Sequence, residues 1–132
     1  MSMQSVFTKV VQFLRLQGKP AMMHSPELGV GCAYRGEGNT CCAVGCLIKD
    51  EFYTSDMENT SLVDPKVRLA LIESGYEVDT DKELCKLLRA LQRSHDAPYT
   101  EDSDWCECQE ERWAKIATNF KLNVPSPILT VI

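Results

Sequence analysis

The chain has no long apolar run, and nowhere approaches the roughly 20 consecutive hydrophobic residues of a membrane-spanning helix. It is also poor in basic charge: 14 Lys and Arg against 19 Asp and Glu leave a net charge of -5. Without a basic stripe to neutralise phosphates, direct nucleic-acid binding is excluded as the expected role. No internal repeat and no low-complexity tract occurs. The opening residues, Met1 to Lys9, show no basic region ahead of an apolar core and no small-residue cleavage pattern, so no signal peptide and a cytoplasmic address are expected. The cysteine count is odd, at seven, which with no export signal predicts reduced thiols rather than a disulfide framework.

What remains is an ordinary globular composition, 44% hydrophobic and 25% charged, in 132 residues. That size suits one hydrophobic core, so residues 1–132 are read as a single α+β domain. Its least ordinary stretch is Cys32 to Ile48, which holds four of the seven cysteines and three of the seven glycines. Gly36-Glu37-Gly38-Asn39 is turn chemistry tolerant of positive φ, flanked by residues suited to strands, and predicts a short cysteine-rich β-hairpin.

About four helices should pack against that hairpin. Val6, Phe7, Val10, Val11, Phe13 and Leu14 recur at spacings of three and four, ending before Gly18 and Pro20. Residues 20–31, punctuated by Pro and Gly, are expected to be a connection. Asp64-Pro65 suits a helix entry that Gly75 closes. Thr80-Asp81-Lys82-Glu83 fits a capping box with Thr80 as cap, and Leu84, Leu87, Leu88 and Leu91 continue a buried stripe to about His95. A last helix is expected from Asp102 or Ser103, carrying Trp105, Trp113, Ile116, Ala117 and Phe120 inward. The apolar tail 124–132 is expected to dock on the core, join a sheet edge or mediate self-association.

Three chemistries are conceivable. A thiol enzyme would use Cys42, or Cys41, as nucleophile, His95 as base and Asp96 to orient the ring. The spacing is not diagnostic, and adjacent His95 and Asp96 side chains at a helix end are expected to diverge. The simpler reading makes the hairpin cysteines small apolar packing residues. A zinc site would draw on Cys41, Cys46, Cys106 and Cys108, with Cys32, Cys42, His24 or His95 as further ligands, but the spacings are poor knuckles and no cofactor is expected. The acids from Glu101 to Glu111 read as charge favoured at a helix start. Finally, Tyr34 and Arg35 near the hairpin tip, with Gln92, His95 and Asp96 at a helix end, would form a polar pocket for an anionic or planar ligand. Pairing of Arg35 with Glu51 or Glu58 is the competing expectation.

The segments Cys32-Ala33-Tyr34-Arg35, Cys42-Ala43-Val44-Gly45-Cys46-Leu47-Ile48, Asp50-Glu51 with Tyr53, Met57-Glu58, and Leu87 through Leu91-Gln92-Arg93-Ser94-His95-Asp96 resemble a group of small uncharacterised proteins of bacteriophages and bacterial genomes. The likeness runs from about Val6 to about Leu122, and the doubled Cys41-Cys42 departs from it, a basic or polar residue being expected first. The resemblance carries no established activity. It implies a phage or prophage setting, in the host cytoplasm, and a non-catalytic accessory or inhibitory protein that binds a host protein or a small ligand such as a defence signal.

Overall fold

In a computed structural model, residues 2–25, 29–98 and 104–126 are described. Among them are four α-helices, α1 (Met3–Gln17), α2 (Pro65–Glu73), α3 (Lys82–Asp96) and α4 (Trp105–Phe120), and two antiparallel ribbons. One ribbon pairs β1 (Met22–Ser25) with β2 (Gly29–Cys32), and the other pairs β3 (Arg35–Gly36) with β4 (Thr40–Cys41). The fold class is α+β, as the sequence predicts. No helix among the described residues is long and apolar enough to cross a membrane.

Local chemistry sets the helix ends. Ser2 caps α1 by accepting from Ser5 N at 3.1 Å, and Gly18, at φ 71°, closes it with a bond from its N–H to Leu14 O. Asp64 caps α2 ahead of Pro65, and past Ser74 the Gly75 and Tyr76 N–H groups bond back to Ile72 O and Leu71 O. The cap of α3 is Asp81, one residue later than expected: its carboxylate accepts from Leu84 N at 3.0 Å. Thr80 turns back to Glu77 and Glu83 pairs with Lys86, so no reciprocal capping box forms. Asp104 caps α4, which therefore starts at Trp105, after the expected Asp102 or Ser103; those two residues lie outside the described set.

One core joins all four helices. Val6, Phe7, Val10, Val11 and Leu14 of α1, Val67 and Leu71 of α2, Leu84, Leu87, Leu88 and Leu91 of α3, and Trp105, Trp113, Ile116 and Ala117 of α4 belong to a single buried cluster. Each large apolar side chain so placed contributes on the order of 1.5–3 kcal/mol of transfer free energy. A polar tie fixes α3 against α4. Gln109, fully buried, accepts from Ser94 Oγ at 3.2 Å and donates to Ser94 O at 2.7 Å, while Arg112 donates to Ser94 O and Ala97 O at the end of α3.

The predicted hairpin needs two corrections. Its turn, Glu37–Asn39, sits where expected, with Gly38 and Asn39 at positive φ, but only Arg35–Gly36 and Thr40–Cys41 pair across it. The run Cys42 to Ile48 is a buried helical turn rather than a strand: Cys46 N bonds Cys42 O, Leu47 N bonds Val44 O, and residues Gly45–Leu47 form a 3-10 turn. Gly45 permits this, because any Cβ there would collide with the backbone of Tyr34. The second correction is that the expected connection 20–31 holds all of the longer ribbon but its last residue, Met22 pairing with Cys32 and Met23 with Gly31. The side-chain amide of Gln17 then holds Cys41 at both backbone groups, accepting from its N–H at 2.9 Å and donating to its C=O at 2.9 Å.

Candidate functional site

A groove of about 590 Å³ opens between α3, the Cys32–Tyr34 segment and the loop from Glu58 to Val63. The α3 wall is set by periodicity. Arg89, Gln92, Arg93 and Asp96 stand at i, i+3, i+4 and i+7, one stripe beside the leucines that face the core. Ala33, Leu62 and Val63 supply apolar lining. Volume and mixed lining fall in the range of small-molecule sites.

Glu58 fastens the loop wall. Its carboxylate accepts from Tyr34 N at 2.8 Å, Arg35 N at 3.1 Å and the Tyr53 hydroxyl at 2.6 Å. Burial, and then this bond to Glu58, push the Tyr53 hydroxyl up to about 12. Tyr34 adds a second tie by donating its hydroxyl to Thr60 O at 2.6 Å. Burial raises its pKa above the ordinary tyrosine value.

On the α3 wall, Gln92 is oriented by Val44, whose N–H donates to Oε1 at 3.0 Å, leaving Nε2 to donate to both oxygens of Asp96 at 3.0 and 3.1 Å. Asp96 Oδ1 also accepts from His95 Nδ1 at 2.7 Å. The neighbouring side chains expected to diverge therefore meet. His95 itself is 1% exposed, edge-on to Trp105, and its Nε2 accepts the backbone N–H of Ala21 at 3.1 Å. That donor fixes the tautomer: the ring is neutral with its proton on Nδ1, shared with Asp96.

Arg89 and Arg93 contrast with this network. Both are exposed at the groove, and among the described residues neither has an ion-pair or hydrogen-bond partner. The other charged groups of the groove, Glu58 and Asp96, are held by partners, so the free positive charge of the site lies in these two guanidinium groups.

Of the residues predicted to bind, Tyr34, Gln92 and Asp96 line one groove. Arg35 and His95 do not. Arg35 turns to the other side of its ribbon, where it pairs with Asp50, donates to Ile48 O at 2.6 Å and lies 5.0 Å from the Tyr53 ring centroid; the expected partner Glu51 is not used, and Glu58 takes the backbone N–H of Arg35 instead. His95 lies beneath the surface, positioning Asp96. Sequence reasoning missed Arg89 and Arg93, which look like the solvated face of a leucine-striped helix; their i, i+4 spacing was the available signal.

The thiol arrangements are unsuited to nucleophilic chemistry. Cys42 is fully buried, accepts from Gly45 N at 3.2 Å, and is held far above the ordinary thiol pKa by that burial. The thiol that lies beside His95 and Asp96 is Cys32: a sulfur, a ring nitrogen and a carboxylate oxygen of these three lie within 4.8 Å of one another. Burial, and next the charge of Asp96, push Cys32 up to about 11. A carboxylate set between thiol and imidazole opposes thiolate formation, the reverse of an activated cysteine.

Metal binding by the same trio conflicts with the tautomer, since Nδ1 carries the proton and Nε2 already faces a donor. The other proposed ligands are dispersed: among the described residues no group of three metal-competent side chains includes Cys41, Cys46, Cys106 or Cys108. Cys46 donates to Ala43 O at 3.1 Å, and Cys106 to Gly18 O at 3.2 Å. His24 sits on β1, with its Nδ1 2.8 Å from a Glu37 carboxylate oxygen.

No protein-family model matches this chain, and neither does any curated protein or any solved structure.

Proposed function

We propose that this is a non-catalytic binding protein that takes a small anionic ligand in the groove between α3 and the Glu58–Val63 loop. The observation that carries the reading is the pair Arg89 and Arg93, one helical turn apart at the groove and without partners among the described residues. Guanidinium groups at that spacing offer planar, charge-assisted donors to carboxylate or phosphate oxygens. The buried Cys42 and the fully engaged His95 favour binding over the thiol-enzyme alternative. The phage-type accessory or inhibitory role, and a host protein as the target, rest on the sequence resemblance alone.

Titration with inorganic phosphate at low salt, followed by backbone and Arg Nε NMR shifts, tests the reading. Saturable shifts centred on Arg89 and Arg93, with a dissociation constant of about 1 mM, are expected for so small an anion. The double substitution Arg89→Ala with Arg93→Ala should abolish them. Shifts that are absent, or that survive the double substitution, would refute the site.

A further inference from the structure

Resting on that reading, we propose that the ligand is an ampholyte: an oxyanion held by Arg89 and Arg93 that carries an ammonium or similar donor directed at Asp96. The groove contains charges of both signs that do not neutralise one another. Asp96 stands three residues after Arg93 on the same helix, a spacing at which opposite charges commonly pair, yet no ion pair joins them. Its carboxylate turns instead to His95 Nδ1 and Gln92 Nε2. Those bonds load Oδ1 twice, Oδ2 receives the 3.1 Å branch from Gln92, and the Cys32 thiol bears on the same carboxylate, yet 41% of the side chain remains exposed. A carboxylate offers about four lone-pair sites, so acceptor capacity on the exposed part of the group is left to the groove.

The consequence for ligand choice is electrostatic. A simple anion drawn to the two arginines is also repelled by Asp96, about one helical turn away along α3. A ligand that places a positive donor over Asp96 converts the repulsion into attraction. His95 and Gln92 hold the carboxylate in place, and both are themselves fixed by backbone N–H groups, of Ala21 and Val44. The acceptor is thus preorganised rather than recruited on binding.

The test compares ethyl phosphate with 2-aminoethyl phosphate by isothermal titration calorimetry, with inorganic phosphate as reference. The two organic probes differ only in the ammonium group. Wild-type protein should bind 2-aminoethyl phosphate about threefold to fivefold more tightly, the scale of a partly exposed ion pair. Asp96→Asn, which retains an acceptor oxygen, should remove that preference, and ethyl phosphate, no longer repelled by the carboxylate, should bind more tightly than to the wild type. Equal affinities in the wild type would overturn the ampholyte inference and leave the anion site standing. Failure of all three phosphates to bind would overturn both. The wild-type comparison decides the matter even if Asp96→Asn folds poorly.

Discussion

Ala21 and His95, 74 residues apart in the chain, are joined by a buried hydrogen bond in which the Ala21 N–H donates to Nε2 at 3.1 Å. The bond ties the entrance of the first ribbon to the last turn of α3, and it makes His95 a structural acceptor. Replacing it with His95→Leu strands the Ala21 N–H in the core and takes a donor from Asp96. The expected loss is about 2–4 kcal/mol in urea denaturation, with His95→Gln losing less. A Leu variant within about 0.5 kcal/mol of wild type would show the bond to be unimportant.

Glu58 holds two backbone N–H groups and one hydroxyl, so Glu58→Ala should free the loop wall without dissolving the core. Hydrogen exchange checks this. Amides of residues 55–63 and of Tyr34 and Arg35 should exchange at least about tenfold faster, as expected when about 1.4 kcal/mol or more of local stability is lost. Amides in α1 should keep their protection.

Gly45→Ala tests the turn that replaced the predicted strand. Its added methyl meets the Tyr34 carbonyl, a backbone atom that cannot rotate away. A loss of about 3 kcal/mol or more is expected in thermal or chemical melts. By contrast Gly31→Ala, where nothing lies within 4 Å of the new carbon, should cost under about 1 kcal/mol.

Alkaline pH should weaken the fold. Folded Cys32 keeps its proton to about 11 against an ordinary value of 9.0, so between those values the unfolded chain binds fewer protons than the folded one. The contribution is intact below about pH 9 and disappears as pH climbs through 11, with Cys46 and Tyr53, both held to about 12, extending the decline. Melting temperature measured under reducing conditions from pH 8 to 11 should therefore fall. Alkylation gives a local check: Cys32 should label slowly at pH 8, and faster in Asp96→Asn. Cys42 should label only as the protein unfolds.

Much of the helical frame was readable in the residues. The three-and-four spacing of α1, the Asp64-Pro65 entry and the leucine stripe of α3 each combine a periodicity with a stop or start signal, and each formed nearly where expected. The ribbons were harder. Met22–Ser25 has no strong alternation, and its pairing with Gly29–Cys32 shows only once the chain returns on itself. Cys42 to Ile48 is apolar because it is buried all round, a property that a short run shares between a strand and an inner turn. At the site, Tyr34, Gln92 and Asp96 were identifiable as polar groups near a hairpin and a helix end. The inward turn of His95 depends on Ala21, and the departure of Arg35 on Asp50 and Ile48, partners that only the folded chain brings close. Expectations for Glu101 and for residues 127–132 of the tail lie outside the described residues.

Gln17 gives the short second ribbon a property that its two-residue strands would not have alone. With one amide it matches the donor and acceptor of Cys41 as a neighbouring peptide group would, so the helix end serves as a surrogate third strand. The outer border of β4 is thereby sealed at Cys41, and another chain finds no open hydrogen-bonding template there on which to grow an intermolecular sheet.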